Sequence, residues 1–405
     1  MKSFLYGFTF PRCVAFVALV GTLGACGTSA TPEQGAERTD ANAKNDASPN
    51  PPSGGDAGKG SEGAQASANS LGQLYLDWNE VSLITQHTGA YGWEVVQSYM
   101  RDHVDIAQLK TNNPDLRLFM YWETAGAYAE ATDAKWPSGM PYQWVRANHP
   151  DWIVKDGSGR DITFWGGDLH LYDVGNREYQ DEWARRAIDY AKSGGFHGIF
   201  GDDVNVGESF RSSWSAVPSK YGTDAAWTQA VESFLQNVSP KLKAEGIRFV
   251  PNVASAWNSD RATQVRWAKL AGGYGREHYQ SWQGDDQLLG GADWAWMSTL
   301  HRDVEAAGIP FFAYPHGGGS QAADKMRYTR ASFLLWHDPA LGGSFAYSTG
   351  GGPEAGKDPY HAAWTFDLGA PSGPAVEQST GVWTRTFARG KITVNSNAKT
   401  AVVQQ

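Results

Sequence analysis

The chain has 405 residues, of which 34 are Lys or Arg and 43 are Asp or Glu, which gives a formal net charge of -9. This acidic balance argues against nucleic acid or an acidic membrane surface as a partner. The 18 tryptophans are more than packing alone requires. Because Trp and Tyr stack on the apolar faces of sugars, the composition favours a carbohydrate ligand, although some of these residues must belong to a Trp-rich core.

The first 25 residues have the features of a signal peptide. Lys2 and Arg12 precede an apolar run over 14–20, which is too short to span a bilayer alone. The segment ends in Leu23-Gly-Ala-Cys26, which resembles the lipobox of bacterial lipoproteins. This resemblance implies cleavage before Cys26 and lipidation of its thiol; an ordinary signal peptide with an incidental cysteine is the alternative. We expect an exported protein, lipid-anchored to a bacterial membrane, with its domain facing the periplasm or the cell exterior.

The segment that follows cannot form a core. Residues 27–69 are rich in Ala, Gly, Ser, Pro, Asp and Glu and contain no aromatic residue, a composition that predicts a disordered tether. With Cys13 in the signal peptide and Cys26 lipidated, the folded part has no thiol for disulfides or metal binding. The predicted organisation is a signal peptide over 1–25, a lipidated linker over 26–70 and one domain over 71–405.

Within 71–405, short apolar runs alternate with helical patterns. The spacing predicts a helix from about 93 to 110, a large loop over 125–167, helices capped by Thr223 and Ser259, and a hairpin-like β segment after 381. The predicted strands are 74–78, 117–123, 169–173, 198–203, 247–252, 273–279, 309–316 and 343–347.

Eight strands that alternate with helices favour one fold class. They indicate an α/β protein with a closed parallel (β/α)8 TIM barrel rather than an open doubly wound sheet. No Gly-x-Gly-x-x-Gly motif opens a helix after the first predicted strand, and no phosphate loop is visible in the sequence, so nucleotide-binding folds are disfavoured.

The most informative motif is Gly198-Ile-Phe-Gly-Asp-Asp203, a buried strand that ends on two carboxylates. Charges at the tip of a strand in a helix-covered sheet are costly unless they have a function. In barrels, the C-terminal strand ends carry the catalytic groups. Strand alternation places Asp202 on the same face as Phe200 and leaves Asp203 at the rim.

Several motifs together resemble a family. The chain is similar to a hypothetical family of bacterial glycoside hydrolases with a TIM-barrel fold, which is itself distantly similar to the endo-α-1,4-polygalactosaminidase family. That family carries an Asp after the fourth strand and a Glu after the sixth, whereas here two Asp stand together after strand four. The matching features are Asn148-His-Pro-Asp-Trp152, Asp173-Val-Gly-Asn176, Gly198–Asp203, Glu277 and a tail with Arg385, Phe387, Gly390 and Asn395.

Glycoside hydrolysis by itself requires two carboxyl groups on either side of one bond, one protonated and one ionised. The ends of strands four and six converge over the opening of a barrel. We therefore predict Asp202 as the ionised group, Asp203 as the second choice and Glu277 as the acid. Arg276 and His278 are expected to point to the other face.

Other polar and aromatic side chains at strand ends form the predicted carbohydrate-binding set: Asp77, Trp78, Trp122, Glu123, Asp173, Asn252, Tyr314 and His316. Trp165 and Trp282 lie close to them in sequence. No cofactor and no metal is expected, because the first strand lacks a His-x-His and the carboxylates have no diagnostic spacing.

These features predict a glycoside hydrolase acting on a poly- or oligosaccharide. The alternative from another class is a non-catalytic carbohydrate-binding surface lipoprotein that uses the same aromatic residues; a metal-dependent hydrolase is a third reading. Only the enzyme requires the paired carboxylates.

Overall fold

A computed structural model of the chain describes residues 71–75, 87–97, 106–132, 139–167, 169–205, 213–253, 260–281, 288–315, 323–347 and 360–405. Within them the strands are β1 (Gly72–Tyr75), β2 (Trp93–Gln97), β3 (Arg117–Glu123), β4 (Gly126–Tyr128), β5 (Thr163–Phe164), β6 (Leu169–Leu171), β7 (Gly198–Asp202), β8 (Arg248–Pro251), β9 (Tyr274–Glu277), β10 (Phe311–Tyr314), β11 (Ser344–Phe345), β12 (Val376–Ser379), β13 (Val382–Phe387), β14 (Gly390–Asn395) and β15 (Thr400–Gln404). The α-helices are α1 (Ile106–Asn112), α2 (Tyr142–Asn148), α3 (Arg177–Gly194), α4 (Asp224–Ala244), α5 (Arg261–Ala271), α6 (Gly291–Ala306), α7 (Ala323–Trp336) and α8 (Ala362–Thr365).

Parallel strands form the centre of the fold. One sheet has the order β1-β2-β3-β7-β8, and a second has the order β11-β10-β9. Isolated parallel bridges join Asn252 to Gly275 and Leu71 to Phe345, so each edge of one sheet is bonded to an edge of the other. The fold is mixed α/β, as the sequence predicts.

The two faces of these parallel strands pack differently because side chains alternate along a strand. One face forms a small apolar cluster: Trp93, Val95, Phe119, Phe200, Val250, Phe312, Tyr314 and Ala346, with Tyr121 packed against it. The other face packs in the large core that includes the helices; Leu118, Ile199 and Phe249 belong to it. Glu123, Asp202 and Asn252 follow two residues after Tyr121, Phe200 and Val250, respectively. They therefore lie on this same first face.

The helices begin and end where local chemistry predicts. Asn176 caps α3 by accepting bonds from the N–H groups of Glu178 and Tyr179, and the helix ends at Gly195, which has a φ of 69°. Thr223 caps α4 as predicted. The cap of α5 is Asp260, one residue after the predicted Ser259, which lies outside the described residues. Pro240 lies inside α4, which continues through it to Ala244.

Two of the predicted elements are wrong. The predicted helix over 93–110 is a strand, β2, followed by a short helix, α1, because Trp93-Glu-Val-Val-Gln97 pairs along its length between β1 and β3. The predicted third strand, β6, lies outside the parallel sheets and pairs antiparallel with β4 and β5. The prediction omitted β2 and counted β6 as a strand of the parallel sheet. These two errors cancel, so β7 and β9 are still the fourth and sixth parallel strands along the chain.

Two peripheral regions are more ordered than predicted. The expected loop over 125–167 contains β4, α2 and β5. The expected C-terminal hairpin is a four-stranded antiparallel sheet, β12-β13-β14-β15. Arg385 attaches this sheet to the end of α7, where its guanidinium donates to the backbone oxygens of Leu334 and His337 at 2.8 Å each.

Several predicted features lie outside the described residues: Cys26, the linker, Asp77, Trp78, Trp282 and His316. No helix in the described part of the chain is long and apolar enough to cross a membrane.

Candidate active site

Asp202, the last residue of β7, is held by three donors. Its Oδ2 accepts a bond from the Tyr121 hydroxyl at 2.5 Å. Its Oδ1 accepts bonds from Asn252 Nδ2 at 2.7 Å and from the backbone N–H of Asp203 at 2.9 Å. Burial raises the pKa of the Asp202 carboxyl, followed by the charge of Glu277, while these three bonds lower it. The donors therefore fix the orientation of the carboxylate and favour its ionised form.

Asp203 faces a different partner. It has a φ of 54°, a strained conformation for a residue with a side chain. Trp165 Nε1 donates to both of its carboxylate oxygens, at 3.1 and 3.2 Å, and Asn205 Nδ2 donates to Oδ1 at 3.1 Å. Burial, together with the charges of Glu123 and Asp202, raises the pKa of Asp203 well above its ordinary value.

Asn252 connects the two parallel sheets at this point. Its Nδ2 is 2.7 Å from Asp202 Oδ1 and 3.1 Å from Glu277 Oε2, and its Oδ1 accepts from the backbone N–H of Glu277 at 3.3 Å. Because one nitrogen touches both carboxylates, the two oxygens lie within about 6 Å of each other. The Glu277 side chain is 26% exposed, and His278 Nε2 lies 3.7 Å from its Oε1.

Glu123 is the most enclosed acid of the cluster. It is 4% exposed, and its Oε1 accepts backbone N–H bonds from Thr124 and Ala125 at 3.0 Å each. Burial, and next the charge of Asp202, raises the pKa of Glu123 to about 8. This raised pKa favours the protonated form of Glu123 at neutral pH, which reduces the number of negative charges that the cluster must accommodate.

A cation could be held by part of this cluster. Glu123, Asp202 and Asp203 each offer one carboxylate oxygen, and these oxygens lie within 4.8 Å of one another. Oxygen donors of this type suit Mg²⁺ or Ca²⁺. The same carboxylates already accept hydrogen bonds from Tyr121, Trp165 and backbone N–H groups. These protein donors supply much of the stabilisation of negative charge that a bound cation would supply.

Comparison with known families identifies the chain. Residues 110–391 match the model of hypothetical glycosyl hydrolase family 15. The chain belongs to this family. Membership classes the protein with the glycoside hydrolases and confirms the resemblance seen in the sequence motifs. A comparison with the curated proteins finds no match.

Solved structures similar to this glycoside hydrolase are distant. A Flavobacterium johnsoniae dextranase complexed with isomaltotriose is 12% identical, with a TM-score of 0.48 over 84% of this chain and 51% of the dextranase; the chain thus spans about half the length of that enzyme. Bacillus licheniformis trehalose-6-phosphate hydrolase is 10% identical, with a TM-score of 0.44 over 71% of this chain and 65% of that one. Aspergillus fumigatus Ega3 in complex with galactosamine is 9% identical, with a TM-score of 0.42 over 73% of this chain and 96% of that one.

Among the residues predicted from sequence, Asp202, Asp203, Glu277, Glu123 and Asn252 lie together in this glycoside hydrolase. Tyr314 lies beside them on β10, where its register partner is Glu277. Burial raises the pKa of Tyr314 well above its ordinary value, and the charges of Glu277 and Asp202 act in the same direction.

Two predicted binding residues lie elsewhere. Trp122 is 1% exposed and packs against Tyr190 of α3, with ring centroids 5.0 Å apart, because it is on the opposite strand face from Tyr121 and Glu123. Asp173 is 5% exposed, and its carboxylate accepts bonds from Lys220 and Tyr221. Neither contact connects these residues to the carboxylate cluster.

The two flanks of Glu277 differ. Arg276 points to the other face as predicted, where it is fully buried and donates to the backbone oxygen of Val253 at 2.5 Å. His278 does not, because its φ of 56° turns its ring towards the Glu277 carboxylate. Sequence reasoning also missed Tyr121 and Asn205, which contact the two aspartates. The available signal for Tyr121 was its place two residues before Glu123, on the same face of β3.

Proposed function

We propose that this glycoside hydrolase cleaves a poly- or oligosaccharide by a retaining mechanism, with Asp202 as nucleophile and Glu277 as acid and base. The observation that carries the proposal is the Asn252 amide between the two carboxylates. Retaining enzymes hold their carboxyl groups about 5–5.5 Å apart and inverting enzymes about 6.5–9.5 Å apart. Two oxygens within about 6 Å of each other support the retaining arrangement.

The roles follow from the surroundings of each carboxylate. Asp202 accepts three hydrogen bonds that favour its anion, and Oδ2 accepts only the Tyr121 hydroxyl within the described contacts. Oδ2 therefore has a lone pair with which to attack an anomeric carbon. Glu277 is 26% exposed, so it can exchange protons with solvent, as an acid that later becomes a base must do.

The two steps balance in atoms and charge. In the first, Asp202 Oδ2 bonds to the anomeric carbon while the glycosidic oxygen leaves with the proton of Glu277. In the second, ionised Glu277 takes a proton from water, the water oxygen bonds to the anomeric carbon, and the bond to Asp202 breaks. Glu277 is protonated again and Asp202 is again an anion.

Trp165 is the candidate for positioning the sugar. Its indole is 43% exposed while its N–H binds Asp203, so one edge is fixed at the cluster and ring surface remains available for stacking. Its φ of 49° is unusual for a bulky residue, and such strain is concentrated at functional sites.

The surrounding architecture is proposed to be a closed (β/α)8 barrel. The bridges Asn252–Gly275 and Leu71–Phe345 support closure of the two parallel sheets into one ring, with the carboxylates at the C-terminal strand ends where barrel enzymes react. The signal-like segment and Cys26 support the further proposal of an exported protein with a lipid anchor.

Three variants of the full chain test the mechanism on a polysaccharide panel with product detection. Asp202→Asn should lower kcat by at least about 10³-fold with sugar binding retained, because the charge acts mainly in the transition state. Glu277→Gln should have a similar effect, but a smaller one on an activated aryl glycoside that needs little protonation. Asp203→Asn is the matched control and should cost less.

The outcomes separate the alternatives. If Asp203→Asn is inactive and Asp202→Asn is active, the roles of the two aspartates are the reverse of those proposed. Full activity in all three variants would refute a site in this cluster. Binding of sugars by the wild-type protein without any product would favour the non-catalytic carbohydrate-binding lipoprotein. NMR identifies the anomer that is released first, and its configuration compared with that of the substrate decides between retention and inversion.

A further inference from the structure

A cavity lies away from the carboxylates, between α6, the end of α7 and the C-terminal sheet. Its volume is about 450 Å³, within the range of roughly 300–1,000 Å³ that is typical of small-ligand sites. Its lining includes three tryptophans, two charged side chains and one amide: Trp294, Trp336, Trp383, Arg302, Glu377 and Asn397.

The tryptophans form an aromatic corner. Trp336 and Trp383 meet edge to face, with centroids 5.0 Å apart and planes at 71°. Trp294 lies behind them at 6.2 and 6.5 Å, is 2% exposed and donates from Nε1 to Ser332 at 2.9 Å. Trp294 is therefore a packing residue, whereas Trp336 and Trp383 are only partly buried and present ring surface to the cavity.

The polar side chains supply donors and acceptors at the rim. The exposed guanidinium of Arg302 lies 5.1 Å from the centroid of the Trp336 ring. Glu377 Oε1 accepts from the backbone N–H of Gly381 at 2.9 Å, and its Oε2 accepts no hydrogen bond within the part of the chain that the structure describes. Asn397 Nδ2 donates to the Thr380 backbone oxygen at 3.0 Å, which leaves its amide oxygen as the acceptor.

Charge and shape together specify a ligand class. One cation, one anion and one amide give the rim no net charge, so neither a strongly acidic nor a strongly basic ligand is favoured. A pyranose ring has one apolar face, which fits an aromatic ring, and a girdle of hydroxyls, which both donate and accept. Arg302, Glu377 and Asn397 match those hydroxyls better than they match a purely apolar ligand.

We propose that this cavity, which we call the tail cavity, binds one or two units of an uncharged saccharide. It shares no residue with the carboxylate cluster and would retain a glycan chain while another part of it is cleaved. The ligand class rests on the proposed function, but binding and hydrolysis are measured separately, so the two proposals fail independently.

The test uses the full chain and calorimetric titration with neutral oligosaccharides (maltotetraose, cellotetraose and isomaltotriose), with a galactosamine oligomer as a cationic comparison. Trp383→Ala and Arg302→Ala should weaken binding of at least one neutral oligosaccharide about tenfold, because each removes a stacking or hydrogen-bonding surface. Asp202→Asn should keep that binding. Trp144→Ala and Arg389→Ala, outside the cavity, are the matched controls and should bind as the wild type does.

Arg302 is exposed, so its variant keeps the test valid if Trp383→Ala fails to fold. Turnover of a short aryl glycoside should be unchanged in Arg302→Ala, whereas Asp202→Asn should abolish it whatever happens at the tail cavity. Equal binding in wild type and both cavity variants would overturn the proposal. Failure of all three neutral oligosaccharides to bind, or binding of the cationic oligomer alone, would also overturn it.

Discussion

Replacing Glu123 by Gln should stabilise the protein at neutral pH. The side chain is 4% exposed, and burial, with the Asp202 charge, raises its pKa from 4.5 to about 8. At pH 7 the carboxyl is therefore protonated in the folded state and ionised in the unfolded state. Because folding then requires uptake of a proton, the acid costs stability that a neutral side chain does not.

The sign and size follow from the pKa difference. A carboxyl whose folded pKa is raised contributes most to stability below the unfolded pKa, and this contribution is lost as the pH rises through the folded pKa. At pH 7 the loss is about 3 kcal/mol. Gln keeps an oxygen for the N–H groups of Thr124 and Ala125, which are bound at 3.0 Å. Glu123→Gln should thus gain up to about 3 kcal/mol at pH 7 and almost nothing near pH 4.5.

Urea unfolding followed by tryptophan fluorescence at pH 4.5, 6, 7 and 8 measures this difference. The exposed Glu130 provides the matched control, because Glu130→Gln removes one charge without removing a buried acid. The gain of Glu123→Gln should grow with pH up to about 8. A variant that is less stable than the wild type at pH 7 would refute the reasoning and would indicate that Glu123 is held as an anion, for example by a cation bound at the cluster.

Three further predictions concern the site and the anchor. Trp165→Phe removes the N–H that lowers the pKa of Asp203. A more protonated Asp203 repels the Asp202 anion less, so the acidic limb of the kcat/KM pH profile, which reports the ionisation of Asp202, should move to lower pH; an unchanged profile would show that Asp203 is not coupled to the nucleophile. Prolonged dialysis against EDTA should leave turnover unchanged, whereas a loss reversed by Mg²⁺ or Ca²⁺ would identify a metal enzyme. Cys26→Ser should move the protein from the membrane fraction to the soluble fraction; persistent membrane association would contradict lipidation at Cys26.

The strand pattern was predictable only where it was unambiguous. Gly198–Asp202 is short and apolar and follows a helix that ends at Gly195, and the structure confirms it as a strand. Trp93–Gln97 has apolar residues at positions that suit either a helix or a strand, and only its pairing with both neighbours decides the outcome. Leu169–Leu171 resembles a parallel strand by composition, but its partners are β4 and β5, which long-range contacts alone determine.

The site was predictable to the level of its carboxylates. A charge at the end of an apolar strand is visible in the sequence, and Asp202 was named on that ground. Glu277 was named because it ends the sixth predicted strand, whose end converges with that of the fourth in a barrel, and because the similar family carries a Glu there. Tyr121 and Trp165 were not predicted as ligands of the two aspartates, because they lie 81 and 38 residues away in the chain. The interactions that distinguish the neighbouring aspartates are therefore properties of the fold rather than of the motif.

Strand register explains why these residues converge. Glu123 is the pairing partner of Asp202, and Tyr314 is the pairing partner of Glu277, so each pair stands at the same level of its sheet. Asn252 follows β8 and bridges to Gly275 of β9. This bridge brings the Asp202 end of one sheet next to the Glu277 end of the other. Because side chains alternate, a slip of one residue in β7 would turn Phe200 and Asp202 to the opposite face. The apolar cluster beneath the site, which contains Phe200, Val250 and Phe312, opposes that slip, so the packing that stabilises the strands also fixes the separation of the carboxylates.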